Sequence, residues 1–263
     1  MRFNHSGSLG DVLYSLTFAR EYASARGVRS FDLHLRVNVV SGSPLPHPAG
    51  RYRMTEPLAE WLRPLLEAQP YIGSVTISPD APADAFDLDC TRELPVYASA
   101  GEIRYYYYAL SPAPLPKDFA APVLTAAPDA RAAGRIVVFR SGRYHNPQID
   151  LRGLRDLAPR MMFLGLPEEH DAFCREVFPV EYMPTDSALE AAELIAGADL
   201  TIGNQTALFA VAEQLKVPRW LESCQLMDYD GRPCWGCPNV LPFGGKCRQL
   251  VTPPTASEVA NYG

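Results

Sequence analysis

Two segments of the sequence place glycine and small polar residues where an apolar strand pattern gives way to a helical pattern. The first is Ser6-Gly7-Ser8-Leu9-Gly10-Asp11, and the second is Gly203-Asn204-Gln205-Thr206, which leads into an apolar helical pattern ending at Leu215. Glycines let a ligand approach the backbone closely, and the free N–H groups of a helix N-terminus attract anions. We therefore expect both turns to bind a ligand. Asp11 either faces a cleft at the start of its helix or only caps that helix.

A third polar segment, Arg140-Ser141-Gly142-Arg143-Tyr144-His145-Asn146-Pro147, directly follows a predicted strand. Arginine binds phosphate oxygens through two parallel hydrogen bonds, so Arg140 and Arg143 are candidate anion ligands. A solvated loop charge is the other interpretation of Arg143. His5 and His145 lie at predicted strand ends, where each either binds phosphate or hydrogen-bonds the loop backbone. The candidate cleft residues are then His5, Ser6, Gly7, Ser8, Gly10, Tyr144 and His145.

Four cysteines near the end of the sequence have the spacing C-x9-C-x2-C-x9-C. They are Cys224, Cys234, Cys237 and Cys247, which either bind zinc as thiolates or pack within loops. We expect Cys90 and Cys174 to be buried as small hydrophobic residues. The segment from Tyr105 to Tyr108 is interpreted as an amphipathic strand, with stacking on a sugar or base as the alternative.

The composition narrows the class of protein. The chain has 263 residues, a formal net charge of −6 and a pI near 5.4, so it is not a general polyanion binder, although a local nucleic-acid acceptor site stays open. The first residues lack the apolar segment of a signal peptide, and no apolar run reaches a membrane-spanning length. We therefore expect a cytoplasmic globular protein with reduced cysteines.

Short apolar segments alternate with helical patterns, which predicts βα units and a doubly wound parallel sheet. Strands are predicted at 1–4, 31–40, 74–77, 135–139, 161–164, 180–183 and 199–202. Helices are predicted at 11–26, 57–68, 150–157, 167–177, 187–196 and 205–215. Thr185 or Asp186 is predicted to cap the helix that begins at residue 187. The segment 111–134 is rich in proline and alanine, which favours an extended linker between a domain of residues 1–125 and a domain of residues 135–263. Ligands bind such sheets outside the carboxyl ends of the strands.

Three segments together resemble one enzyme family. Leu9-Gly10-Asp11-Val12-Leu13-Tyr14-Ser15-Leu16 resembles the opening G-D segment of the ADP-heptose:lipopolysaccharide heptosyltransferases of glycosyltransferase family nine. Phe163-Leu164-Gly165-Leu166-Pro167-Glu168-Glu169 resembles their F-x-G-x-x-x-E turn, and the segment from Gly203 to Pro218 resembles their G-N-D-S-G-P-x-H-L-A-A-x-L-G-x-P motif at equal length. The chain departs from that pattern at Thr17, Gln205, Ala207 and Ala210, so a donor other than ADP-heptose, or an altered activity, stays open.

The resemblance implies the GT-B fold, in which two Rossmann-like domains face a central cleft and bind acceptor and nucleotide-sugar donor respectively. It implies that Asp11 is the general base of an inverting transfer to a hydroxyl, on a saccharide or glycolipid acceptor, without an obligatory metal. The donor diphosphate would meet Arg140, Arg143, Gly203, Asn204, Gln205 and Thr206. Glu168 or Glu169 would accept hydrogen bonds from the ribose, although acids also favour a helix N-terminus by themselves. A nucleotide-sugar epimerase and a non-catalytic sugar-nucleotide- or glycan-binding protein are the alternatives.

Overall fold

The computed structural model describes residues 1–41, 50–94, 102–222, 242–260 and 262, together with the backbone of 225–227 and 233–235. Within these residues, no helix is long and apolar enough to cross a bilayer. The architecture is α/β: two parallel sheets are built in succession along the chain, as the alternating pattern predicts.

The first sheet has the strand order β3-β2-β1-β4, and its strand pairings are parallel. Parallel neighbours require crossover connections, and helices supply most of them here. The strands are β1 (Arg2–His5), β2 (Phe31–Arg36), β3 (Ile72–Ser78) and β4 (Phe86–Asp87), and the helices of this half are α1 (Leu9–Ser24), α2 (Glu56–Glu67), α3 (Ile103–Tyr108) and a 3-10 helix at Leu88–Glu93. The turn between β1 and α1 therefore lies at the carboxyl edge of the sheet.

The second sheet has the order β12-β9-β8-β5-β6-β7, again with parallel pairings. Its strands are β5 (Ile136–Phe139), β6 (Met161–Phe163), β7 (Glu181–Tyr182), β8 (Leu200–Gly203), β9 (Arg219–Glu222) and β12 (Cys247–Leu250), and its helices are α4 (Pro167–Glu176), α5 (Ala188–Gly197), α6 (Ala207–Leu215) and α7 (Ala256–Ala260). A separate antiparallel pair joins β10 (Gln225–Met227) to β11 (Pro233–Trp235). The polar segments after β5, β6 and β8 consequently share one edge of the sheet.

Several local predictions were wrong. The tyrosine segment forms helix α3 rather than a strand, since Glu102 caps it by accepting the N–H of Arg104 at 3.1 Å, and Tyr106 to Tyr108 are buried in this helical form. Residues 152–160 form a 3-10 helix instead of an α-helix, and Ser187 caps α5. Cys90 is exposed and Cys174 is half-buried, so neither belongs to the core.

The two halves share one hydrophobic core. Side chains of β1 and α1 (Phe3 and Leu16 among them) belong to the same buried cluster as Val211 on α6 and Leu221 on β9. Helix α1 packs on α6 and α2 packs on α5. The segment 111–134, which was interpreted as a linker, is itself tied down, because Val123 N and Leu124 N both donate to the carbonyl of Gln214.

A group of buried charges lies where these halves meet. We call Glu102, Arg104, Glu213, Lys216 and Arg219 the buried ion network. Glu213 is at its centre: its carboxylate accepts from Arg104 at 2.9 Å, from Lys216 at 2.6 Å and from Arg219 at 2.6 Å. Buried charges are tolerated when each one is paired in this way. The network therefore fixes α3 of the first half to α6 of the second.

Candidate functional site

The turn between β1 and α1 is held in one conformation by His5. Nδ1 of His5 accepts the N–H of Gly7 at 2.8 Å, so the proton is on Nε2, which donates to the Tyr107 hydroxyl at 2.9 Å. That hydroxyl donates in turn to the carbonyl of Asp11 at 3.1 Å. Burial lowers the pKa of His5, which keeps the ring neutral in this role. Both ring nitrogens are thus used to shape the turn, and His5 has none left for a ligand.

Gly7 is the residue on which the tightness of the turn depends. A Cβ at this position would overlap the His5 ring and would stand 2.7 Å from Cβ of Asp11. Ser6 and Ser8 use their backbone N–H groups within the same turn: Ser6 donates to Asp89 at 2.8 Å, and Ser8 donates to Oδ2 of Asp11 at 3.1 Å. Around Gly10, by contrast, the space is open. Hydrogen bonds therefore hold the turn from Ser6 to Ser8, and there is open space beside Gly10.

Asp11 is the third residue of α1 and is half-buried, with 27% of its side chain exposed. Besides Ser8, Arg92 donates to Oδ2 of Asp11 at 3.0 Å. In the described part of the chain, no hydrogen bond reaches the other oxygen, Oδ1. Asp11 therefore caps the start of its helix with Oδ2 and keeps Oδ1 without a hydrogen bond from the described residues.

At the edge of the second sheet, Asn204 ties two polar segments together. Its Oδ1 accepts the N–H of Ser141, and its Nδ2 donates to the carbonyls of Ser141 at 2.8 Å and Arg143 at 2.6 Å. Asn204 is completely buried, so these bonds are protected from water. Gly203, just before it, packs so closely on Phe139 that a Cβ would overlap the ring and the carbonyl. The loop after β5 is thereby fixed beside the start of α6.

Next to this clamp lie three residues that were predicted to meet the donor diphosphate, Arg143, Gln205 and Thr206. Thr206 caps α6 by accepting the N–H of Phe209 at 3.2 Å. Arg143 lies over the ring of Tyr144, whose backbone has a φ of 50°. Nε of Arg143 and Oε1 of Gln205 are both buried without a hydrogen-bond partner among the described residues. Buried polar atoms of this kind are satisfied by water or by a ligand.

Arg140, a predicted phosphate ligand, is paired with an acid in the structure. It forms a bidentate ion pair with Glu222, at 2.6 Å and 3.1 Å, and also donates to the carbonyl of Ile149. Glu222 accepts the N–H of Asn146 at 2.7 Å as well, and His145 lies 3.8 Å from it. Burial, with a contribution from the Arg140 guanidinium, lowers the pKa of His145. The guanidinium of Arg140 is largely committed to Glu222, and we assign no phosphate contact to it.

The turn after β6 resembles the first turn in its construction. Gly165 has a φ of 146°, and Tyr182 donates to its carbonyl at 3.1 Å. Glu169, the third residue of α4, accepts the N–H of Leu166 at 3.1 Å, and burial raises the pKa of its carboxyl group. Glu168 is exposed. Of the two acids, Glu168 is therefore the one that extends into solvent beside the turn.

The zinc hypothesis falls largely outside the described residues. Positions 224 and 237, and the side chain at position 234, are not described, while Cys247 lies half-buried on β12. The described residues contain no group of three metal-ligating side chains.

Comparison with known proteins adds information at the level of fold. The sequence matches no protein-family profile and no curated protein. Solved structures do match: the E. coli heptosyltransferase WaaC with ADP has a TM-score of 0.58 at 14% identity, over 100% of this chain and 98% of that one. The E. coli ADP-heptose lipopolysaccharide heptosyltransferase II has a TM-score of 0.53 at 12% identity, over 99% and 96%. The chain has the heptosyltransferase fold.

A family nine glycosyltransferase from Veillonella parvula is similar too, with a TM-score of 0.52 at 10% identity, over 95% of this chain and 84% of that one. The sequence motifs resemble the same family, so the α/β class with parallel sheets that the resemblance implies is confirmed. The low identities accord with a divergent sequence.

Sequence reasoning missed three residues of this heptosyltransferase-like structure. Asp89 and Arg92 come from the 3-10 helix after β4, a strand of only two residues that carries no periodic signal. Glu222 ends β9, directly after the apolar residues Trp220 and Leu221. An acid at the carboxyl end of a buried strand was a usable signal, since such positions line the ligand-binding edge of a parallel sheet.

Proposed function

We propose that this protein is a glycosyltransferase that moves a sugar from a nucleotide-sugar donor to a hydroxyl group of a saccharide or glycolipid acceptor, with inversion. The observation that carries the proposal is the arrangement of Asp11. A carboxylate stands at the start of α1 with one oxygen fixed and one oxygen without a hydrogen bond from the described residues. The fold is that of heptosyltransferases, one of which is known with ADP.

In this proposal, residues 1–125 form the acceptor domain and residues 135–263 form the donor domain, as in GT-B enzymes. Helices α1 and α6 begin at the carboxyl edges of the two sheets, and they pack on each other, with Gln214 donating to the carbonyl of Leu13 at 2.7 Å. This packing joins the last turn of α6 to the first turns of α1 and so holds the two halves together. That both helix starts line one shared cleft is part of the proposal. The first turn would then contact the acceptor, and the clamped turn after β8 would contact the donor.

The reaction needs a base and a stabilised leaving group. Oδ1 of Asp11 takes the proton of the acceptor hydroxyl while its oxygen attacks the anomeric carbon. The bond from that carbon to the diphosphate breaks, and the nucleoside diphosphate leaves with the electron pair. Charge develops on the diphosphate at the N-terminus of α6 and near the Arg143 guanidinium, which stabilise it electrostatically. We propose that these groups, rather than a metal ion, meet that charge, and that Glu168 or Glu169 binds the ribose.

The test is Asp11→Asn in the full chain. Asparagine keeps the size of the side chain and an oxygen for Ser8, but it cannot accept the acceptor's proton, so transfer should fall by about 100-fold or more while donor binding persists. Asp84→Asn is the matched control, because Asp84 also pairs with an arginine, at 3.2 Å, in the same half of the chain and is largely exposed.

A thermal-shift screen of nucleoside diphosphates and nucleotide-sugars first identifies a donor, since ligands that bind the folded state raise its melting temperature. Release of nucleoside diphosphate is then measured with a panel of hydroxyl acceptors. Full activity in Asp11→Asn would remove Asp11 as the base. A wild-type protein that binds donors but transfers sugar to no acceptor would contradict the transferase proposal and favour a binding protein, and donor consumption without acceptor would favour an epimerase.

A further inference from the structure

The 3-10 helix Leu88–Glu93 lies against the turn that carries Asp11. It follows β4, which pairs with β1. The side chain of Asp87 fixes its start, since Oδ1 accepts both the N–H of Asp89 at 3.0 Å and Nδ2 of Asn4 at 3.1 Å. The helix is therefore anchored to the same strand that leads into the turn.

Asp89 and Arg92 project from one face of this helix. Residues three apart are eclipsed in a 3-10 helix, because it has three residues per turn. Asp89 binds the first part of the turn through the N–H of Ser6 at 2.8 Å, and Arg92 binds the last part through Oδ2 of Asp11 at 3.0 Å. Nε of Arg92 is 3.7 Å from Oδ1 of Asp89, so the acid and the guanidinium form an ion pair, although no hydrogen bond joins these two atoms.

This arrangement selects one oxygen of Asp11. Oδ2 receives two donors, the N–H of Ser8 and the guanidinium of Arg92. With the position of Oδ2 set by two bonds, the carboxylate plane and the direction of Oδ1 are set as well. Without Arg92, the N–H of Ser8 is the one remaining donor to Oδ2 among the described residues. A single hydrogen bond leaves the carboxylate free to change its orientation. Misplacement of a reacting group by about 1 Å costs on the order of 100-fold in rate.

We propose that Arg92, which forms an ion pair with Asp89, is a positioning residue for the transfer reaction: it fixes Oδ2 of Asp11 so that Oδ1 meets the acceptor hydroxyl. This inference rests on the proposed function, in which Asp11 is the general base. Arg92 acts through Asp11 and is assigned no contact with the substrate.

The experiment compares Arg92→Ala and Arg92→Lys with the wild type in the full chain. For Arg92→Ala we expect kcat to fall by about 100-fold with the donor KM unchanged, because orientation of the base is lost while the donor turn is intact. Guanidinium ion, added well below denaturing concentration, should restore part of kcat in Arg92→Ala. Arg92→Lys should retain an intermediate kcat, since its ammonium supplies a point charge without the planar fork.

Arg63→Ala is the matched control, because Arg63 also pairs with an acid three residues away, Glu60 at 2.8 Å, with 33% of its side chain exposed against 24% for Arg92. A kcat of Arg92→Ala equal to that of the control would overturn the inference. A loss that guanidinium does not restore would indicate a structural role for Arg92, and would overturn it too.

A second measurement separates this inference from the proposed function. The crystal structure of Arg92→Ala should show the Asp11 side chain turned from its present orientation, whether or not a substrate is known. An unchanged Asp11 in that structure overturns the positioning role. Absence of transfer by the wild type, in contrast, contradicts the proposed function and with it the catalytic part of the inference, while the orientation of Asp11 in the variant still tests whether Arg92 sets it.

Discussion

Replacing Glu213 with glutamine removes the central charge of the buried ion network and leaves the size of the side chain almost unchanged. The carboxylate accepts from Arg104, Lys216 and Arg219, and from the N–H of Phe243 at 3.2 Å. Glutamine has one carbonyl oxygen for these donors, and its NH2 group would face an arginine N–H. Glu213→Gln therefore leaves buried positive charge without compensation.

The size of the effect follows from burial. Glu213 has no exposed surface, and the side chains of Arg104 and Arg219 are at most 1% exposed. Removing one partner of such a pair costs about 3–5 kcal/mol. For a domain of this size, that loss lowers the melting temperature by about 6–20 °C. Because both halves share one core, we expect a single unfolding transition at the lower temperature.

The matched control is Glu181→Gln. Glu181 pairs with Arg135 at 2.6 Å, the same separation as Glu213 and Arg219, but 52% of the Glu181 side chain is exposed. An exposed pair contributes about 0–1 kcal/mol, so the control should melt within a few degrees of the wild type. Calorimetry of the three proteins is the assay. A Glu213→Gln protein that melts at the temperature of the control would refute the reasoning, because burial is the only difference invoked.

Three other outcomes follow from the structure. Burial lowers the pKa of Lys216 from 10.5 to about 8, so between these two pH values the unfolded chain holds a proton that the folded chain lacks. The free energy of unfolding, measured by denaturant titration, should therefore rise from about pH 8 to about pH 10. Lys216→Met should remove that rise. Gly203→Ala should cost about 1–3 kcal/mol or more through overlap with Phe139, whereas Gly142→Ala, which meets open space, should be neutral in the same measurement. Gln205→Glu should weaken binding of nucleoside diphosphates in calorimetry by adding negative charge at the start of α6, while Gln249→Glu, with the same change in charge at an exposed position of β12, should not.

Local pattern was sufficient to predict most of the elements that carry the candidate site. The apolar periodicity and the glycine after each strand placed Asp11 and Gly203–Thr206 at strand-to-helix turns, and the structure has helices beginning at Leu9 and Ala207. The periodicity and the turn glycines involve residues within a few positions of one another, so a short segment of sequence is enough to predict each strand, turn and helix. The order of βα units likewise predicted parallel sheets.

Local propensity misled where packing decides the outcome. Four consecutive tyrosines favour a strand. In the folded chain, the ring of Tyr108 packs on Phe18 of α1 and on Phe119, Tyr106 is buried as well, and the helix cap comes from Glu102. Burial of several rings in a helix outweighs a preference of at most about 1 kcal/mol per residue.

The sequence by itself determined most of the strands and helices and the two polar turns. The tertiary structure decided which polar side chains are paired within the protein and which have atoms without a partner in the part of the chain that the structure describes. Arg140 meets Glu222 across 82 positions, and Arg92 meets Asp11 across 81. No periodic pattern relates residues so far apart, because their contact depends on which strands become neighbours and on the register between them. Only the folded chain therefore shows that Arg140 is paired with a buried acid, and that one oxygen of Asp11 accepts two hydrogen bonds while the other accepts none from the described residues.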